Sequence, residues 1–221
     1  MDRICEIDKV ITERDFLEKK LNELIANIGD IPIANKSIMP FGWRKAAKGR
    51  TVWRIVEEVI NQGIESQYSS LGFESVAPAT SEVGVYDFKF CCLGHKESYV
   101  NIKSSVIGKR KNKDDISKAD KLIEFYNQNP NANLYIATFE IKFNSNLTIG
   151  FNKCTVFPTA WLPDIYVNPS NNGNLQSSMY KYLSSAVKRT PMEFYECLNN
   201  ANNIAKEKKR NTTKLKDISQ K

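Results

Sequence analysis

The stretch VYDFKF, Val85 to Phe90, places a large aromatic side chain at every second residue. After a polar segment, YVNIKSSV, Tyr99 to Val106, alternates again. Period-two alternation marks a strand with one buried face, because successive side chains of an extended chain point to opposite sides. Gly94 and the polar GHKES between the runs predict a turn, and hence an antiparallel pair. Tyr86, Phe88 and Phe90 fall on one face of the first run, leaving Val85, Asp87 and Lys89 opposite. In the second run Val100 and Ile102 share a face, with Tyr99, Asn101, Lys103 and Ser105 on the other. If both apolar faces enter one core, Asp87, Asn101 and Lys103 converge on the far side of the sheet.

Elements around this pair follow from hydrophobic spacing. Ile4 to Ile28 predicts an amphipathic helix, with Ile7, Val10, Leu17, Leu21, Leu24 and Ile25 at helical intervals, closed by Gly29 and Pro32. Its Val10, Leu17, Leu24 spacing fits either packing on its own domain or a partner helix. Thr51 to about Gln67 predicts a second helix, its stripe formed by Val52, Ile55, Val56, Val59 and Ile60, with Glu57 and Glu58 on the shoulders. DDISKADKLIEFYNQ predicts a helix with an aspartate at its start, and strands are expected over Ala132–Phe143 and Leu147–Phe157. Strand, helix, strand from Tyr99 to Phe143 predicts a βαβ crossover. The fold class is therefore α/β (α+β): a mixed central sheet flanked by helices. The Pro/Asn/Gly/Ser-rich segment from Pro158 to Ser178 predicts a long loop. Helices are expected over Ser178–Leu183 and Pro191–Lys208, before a basic tail that is disordered or meets phosphates.

A chain of 221 residues with 41% hydrophobic and 26% charged residues is suited to one globular domain. No apolar run approaches the roughly 20 residues that span a bilayer, and the N-terminus lacks a signal-peptide core, so a cytoplasmic location is expected with no membrane partner. The five cysteines form no CxxC pair and His95 is the only histidine, so a structural zinc site is not expected; the thiols read as reduced and mostly buried. A net charge of +7 favours a polyanionic partner, nucleic acid foremost.

Asp87, Asn101 and Lys103 make chemical sense around a metal ion or an anion. A carboxylate and an amide oxygen are hard ligands suited to Mg²⁺, which takes only one or two protein carboxylates. Such an ion polarises a phosphodiester and acidifies water, while a neighbouring lysine orients that water or stabilises phosphate charge.

A strand aspartate, a turn, and a second strand carrying acid, any residue, lysine resembles the PD-(D/E)xK nuclease superfamily, and within it the type II restriction endonucleases. The matching residues are YDF (Asp87) and NIK (Asn101, Ile102, Lys103), and the helix WRIVEEVINQ is similar to the acidic helix preceding the core in many members. The resemblance covers about Gly49 to Phe143. It implies a restriction-endonuclease-like core and a Mg²⁺ ion at Asp87, Asn101 and Ile102. It further implies that Lys103 holds a water attacking the phosphorus in line, with cleavage that leaves 5′-phosphate ends. One nuclease domain would span 1–221, with the N-terminal helix and basic loop in 1–48, the catalytic core in 49–160, and a recognition loop, C-terminal helices and tail in 161–221.

Two positions depart from the pattern. Tyr86 stands where the family has proline, a matter of backbone geometry. Asn101 stands where the family has its second acid, which removes a full charge from the ion site. Three explanations stand open: a displaced acid such as Glu57, Glu58 or Glu82 completes the site; an inactivating Asp-to-Asn change has been introduced; or the protein binds DNA without cutting it. Within the first, Glu57 or Glu58 is preferred, because superfamily members recruit a carboxylate from the preceding helix.

Double-stranded DNA is the expected partner, met by a homodimer if its site is palindromic. Backbone contacts are expected from the basic loop (Arg44, Lys45, Lys48, Arg50) and from Lys109, Arg110, Lys111 and onward to Lys113. Ser104 and Ser105 either contact the neighbouring phosphate or are plain strand-end hydroxyls. Asn171, Asn172, Asn174 and Gln176 are suited to reading adenine, or form an exposed turn. The competing readings are a non-catalytic DNA-binding protein, a repair or structure-specific nuclease on the same core, and a structural protein in which Asp87 and Lys103 form an ordinary ion pair worth about 0–1 kcal/mol.

Overall fold

The computed structural model describes residues 3–44, 48–80, 84–108 and 113–219, with side chains left undescribed at 48–50 and 213–219. In chain order the elements are α1 (Arg3–Ile28), β1 (Ile31–Pro32), α2 (Lys48–Leu71), β2 (Ser75–Pro78), β3 (Phe88–Cys91), β4 (Ser98–Val106), β5 (Asp114–Lys118), α3 (Ala119–Gln128), β6 (Leu134–Phe143), β7 (Thr148–Pro158), β8 (Tyr166–Asn168), β9 (Asn174–Ser177) and α4 (Pro191–Ser219). Short 3₁₀ turns occupy Thr159–Trp161 and Leu183–Ser185.

Six strands form the main sheet in the order β1-β7-β6-β4-β3-β2. β4 and β6 run parallel, in register from Tyr99↔Leu134 to Val106↔Ile141, and the remaining pairs are antiparallel. A parallel pair needs a crossover. Here β5 and α3 supply it, so the architecture is the mixed α+β arrangement that the strand and helix spacing predicts.

Pairing of Phe88 with Val100, and of Val100 with Tyr135, puts these three side chains on one face of the sheet. α1 covers that face through Leu17, Leu21 and Leu24, all fully buried. The Val10, Leu17, Leu24 stripe is thereby spent within the chain and leaves no seam for a partner helix. Polar residues of α1 also complete the outer edge of β7: Asn22 exchanges two hydrogen bonds with the Cys154 backbone, and the Glu18 carboxylate accepts from Val156 N–H. Satisfying an edge with side chains blocks strand addition by another chain. On the opposite face, Phe125 of α3 packs edge-on against Tyr99 at 5.0 Å, and Tyr126 against Phe194 of α4.

α2 packs beside α1 and across β4 and β2. Val52, Val56, Ile60 and Ile64 form its buried ridge at intervals of four. A close approach to α1 occurs at Gly63, where a Cβ would sit 3.0 Å from Ile28 Cδ1.

Several expectations are corrected. Ile55 is exposed rather than part of the α2 stripe. Strand β3 begins only at Phe88, so the alternation breaks before it, and the Tyr86 ring packs on Tyr99 instead of sharing a face with Phe88 and Phe90. Asp114–Lys118 is a strand paired with β9, and the helix starts at Ala119. The expected loop from Pro158 to Ser178 carries the β8–β9 hairpin, because Val167 and Leu175 supply a buried face. Ser178–Leu183 is not a helix, and the backbone of α4 runs on through the basic tail to Ser219. Of the cysteines only Cys92 and Cys154 are buried; Cys5 and Cys197 are exposed on α1 and α4, and Cys91 lies between. No described helix is long and apolar enough to cross a membrane.

Candidate functional site

The residue just before β3 is Asp87. Its backbone N–H donates to the Val100 carbonyl at 2.7 Å, and its carboxylate Oδ2 accepts from the Ile102 N–H at 2.5 Å. The side chain thus extends the β3–β4 ladder past the strand end and is held rigidly beside β4. Two residues along from Asn101 on the same face, Lys103 stands next to it, as the period of two requires.

α2 contributes Glu57, whose side chain is 19% exposed and lines the same cavity as Asp87. Burial is the main cause raising the Glu57 carboxyl to about 7, with the Asp87 charge next; Arg54 and Lys103 oppose it. Burial also raises Asp87, resisted by the Ile102 N–H and the Lys103 ammonium. For Lys103, burial acts downward while Asp87 and Glu57 act upward. Two acids and one lysine are therefore held in a partly dry seam, each shifting the others, the kind of coupling that marks functional sites.

Asn101 donates its amide Nδ2–H to the Val85 carbonyl at 2.9 Å. This fixes the amide orientation and leaves Oδ1 as the acceptor for the cavity that Asn101 lines. Ile102, whose side chain is buried, lines the same cavity, and its backbone N–H holds the Asp87 carboxylate.

The cavity measures about 890 Å³. Asp87, Asn101 and Lys103 meet Glu57 and Arg54 on its α2 wall. Ser104 and Ser105 line it too, with Ser105 Oγ accepting from Lys181 at 3.2 Å. On the far side stand Asp114, which accepts from the Tyr180 hydroxyl at 2.7 Å and pairs with Lys181 at 3.3 Å, and Asp115.

Other expected site residues lie elsewhere. Glu58 is exposed and accepts from Gln62 at 2.6 Å, on the shoulder of α2 away from the cavity. Arg44 is outside the cavity, its guanidinium 5.3 Å above the Phe41 ring. Asn174 does line the cavity, and Asn171, Asn174 and Gln176 each donate a side-chain amide to Asp115 on the neighbouring strand β5, at 2.6 to 3.0 Å. Asn172 takes the left-handed turn position at φ 52°. Lys113 lies 4.4 Å above the Tyr166 ring. Lys45, Glu82, Lys109, Arg110 and Lys111 fall outside the described residues, and the Lys48 and Arg50 side chains are not described.

The sequence reading missed Arg54, Asp114, Asp115 and Lys181 as cavity residues. A signal for the aspartates was present in DDISK, whose central Ile116 is flanked by polar residues as in a strand with one buried position. Among the described residues no group of three or more His, Cys, Asp or Glu is placed to hold a metal. The donor set here is two carboxylates and an amide oxygen, which still suits Mg²⁺, an ion that keeps several waters.

Neither a protein-family model nor a curated protein matches the sequence.

Proposed function

We propose that this chain is a Mg²⁺-dependent DNA endonuclease of the PD-(D/E)xK type, acting in the cytoplasm as a homodimeric restriction enzyme that makes site-specific double-strand cuts. The observation that carries the reading is the meeting of Glu57 from α2 with Asp87, Asn101 and Lys103 from the β3–β4 pair. It supplies the second acid that Asn101 lacks, from the preceding helix.

The donor set fits the ion. Two carboxylates pressed together in a partly dry seam repel when both ionise, and a divalent cation relieves that repulsion. Asp87, Glu57 and the Asn101 oxygen would hold it, and Ile102 would support it by fixing the Asp87 carboxylate. When bound, Mg²⁺ supplies positive charge that polarises the phosphodiester and acidifies water. Lys103 orients the attacking water and stabilises charge on the phosphate through its ammonium. Asp87 stays aligned because its second oxygen is occupied by the Ile102 N–H. Products would carry 5′-phosphate ends.

The test is incubation of the protein, and of Asn101→Asp, with plasmid and phage DNA, with and without Mg²⁺. Discrete Mg²⁺-dependent fragments from either protein support the proposal. Binding of duplex DNA by both, with no cutting of several DNAs, replaces it with the reading of a DNA-binding protein that does not cleave.

A further inference from the structure

Trp53 and Glu57 are four residues apart on α2, so they project from the same side of the helix one turn apart. Both line the cavity that holds Asp87 and Lys103. Trp53 is a large apolar side chain yet remains 40% exposed, with the Arg54 guanidinium stacked 4.2 Å from its ring. Arg54 in turn reaches Glu57 at 3.9 Å. An indole held by a cation at the lip of a charged cleft is not explained by core packing, because the buried ridge of α2 is Val52, Val56, Ile60 and Ile64.

Other cations complete the setting. Lys103, Lys118, Lys121 and Lys181 line the same cavity between the acids Asp87, Asp114, Asp115 and Glu140; Lys181 pairs with Asp114 and Lys121 with Glu124, and the lysines are suited to the phosphates of a strand crossing it. Aromatic rings interleaved with cations are how proteins hold unpaired nucleotides, the ring stacking on a base while the cations take its phosphates. A base within a duplex has both faces covered by its neighbours, so only an unpaired or extruded base can lie on an indole.

We infer that Trp53, positioned by Arg54, is a stacking platform for one unpaired base of a nucleic-acid strand whose adjacent phosphate lies between Glu57 and Lys103. The placement of that phosphate rests on the nuclease reading; the stacking of the base does not. The cleft thereby favours single-stranded or locally opened DNA over intact duplex at this point.

The 221-residue chain is titrated in EDTA, where no Mg²⁺ supports cleavage, with single-stranded oligothymidylate of about ten nucleotides and with a blunt duplex of equal length. Tryptophan fluorescence reports the site selectively, because Trp161 is buried and Trp43 is partly buried, packed on Phe143 at 4.8 Å. The single strand is expected to quench the wild-type emission. Trp53→Ala is expected to lose the quenching and bind about 5- to 100-fold more weakly, by polarisation of a labelled strand, while Trp53→Phe keeps most of the affinity. Equal affinity of Trp53→Ala and wild type for the strand, no binding of the strand at all, or equal quenching by intact duplex overturns the inference. Thermal melting of both variants verifies folding. Should Mg²⁺ later produce no cleavage while stacking persists, the nuclease reading fails and the platform stands.

Discussion

Glu57 on α2 and Asp87, the residue just before β3, line one cavity, where burial and the Asp87 charge together raise the Glu57 carboxyl to about 7. Neither acid is placed by its own element alone. Helix α2 must lie across β4 for the pair to form, and once it does, each carboxyl alters how readily the other ionises.

Glu57 binds its proton more tightly in the folded chain, at about 7 against 4.5 unfolded. The folded state therefore carries more protons between these values, and its stability falls as pH rises through that window. Glu57→Gln removes the effect. It is expected to melt roughly 2–4 °C above wild type at pH 8 in EDTA, with the advantage vanishing at pH 4, as measured by circular dichroism.

Metal binding competes with the same proton. Mg²⁺ affinity is expected to fall about tenfold for each pH unit below 7 and to level off above it, with proton release on binding near pH 6.5. Isothermal titration in buffers of different ionisation enthalpy reads both; a pH-independent affinity removes Glu57 from the ion site.

The Lys103 ammonium acts on both acids, lowering Glu57 and Asp87 alike. Lys103→Met is expected to lower the cleavage rate about 10²- to 10³-fold in steady-state assays while leaving duplex binding within a few fold. It also raises the Asp87 carboxyl further, so residual activity shifts to higher pH.

Asn101→Asp adds a third carboxylate and removes the amide that donates to Val85. Without metal the variant is expected to lose about 1–3 kcal/mol of stability, much of it recovered by Mg²⁺, in denaturant titrations read with and without EDTA. Its Mg²⁺ affinity is expected to exceed that of wild type at least tenfold.

Asp115 gathers the side-chain amides of Asn171, Asn174 and Gln176. Asp115→Ala strips all three of their acceptor and is expected to loosen the β8–β9 hairpin by about 1 kcal/mol. Hydrogen exchange should quicken from Asn168 to Ser177 and stay unchanged in β6.

Local chemistry made much of this protein legible. The alternation from Phe88 to Phe90 and around Asn101 determined the β3–β4 pair, and the helical stripes of α1 and, apart from Ile55, of α2 determined their inner faces, because burying a periodic apolar face is a property of a segment and its neighbours in sequence. Segments with few apolar positions were not legible: DDISK buries one apolar side chain and the β8–β9 hairpin two, and their strand form exists because they pair with one another. The face of Tyr86 was settled by where β3 begins, and the placement of Glu57 and Glu58 by the rotation of α2 over β4. Adjacent glutamates on one helix are equivalent by periodicity. Only the packing of that helix buries Glu57 against Asp87 and turns Glu58 to water, since desolvation and charge coupling depend on distances across the fold that spacing along the chain does not encode.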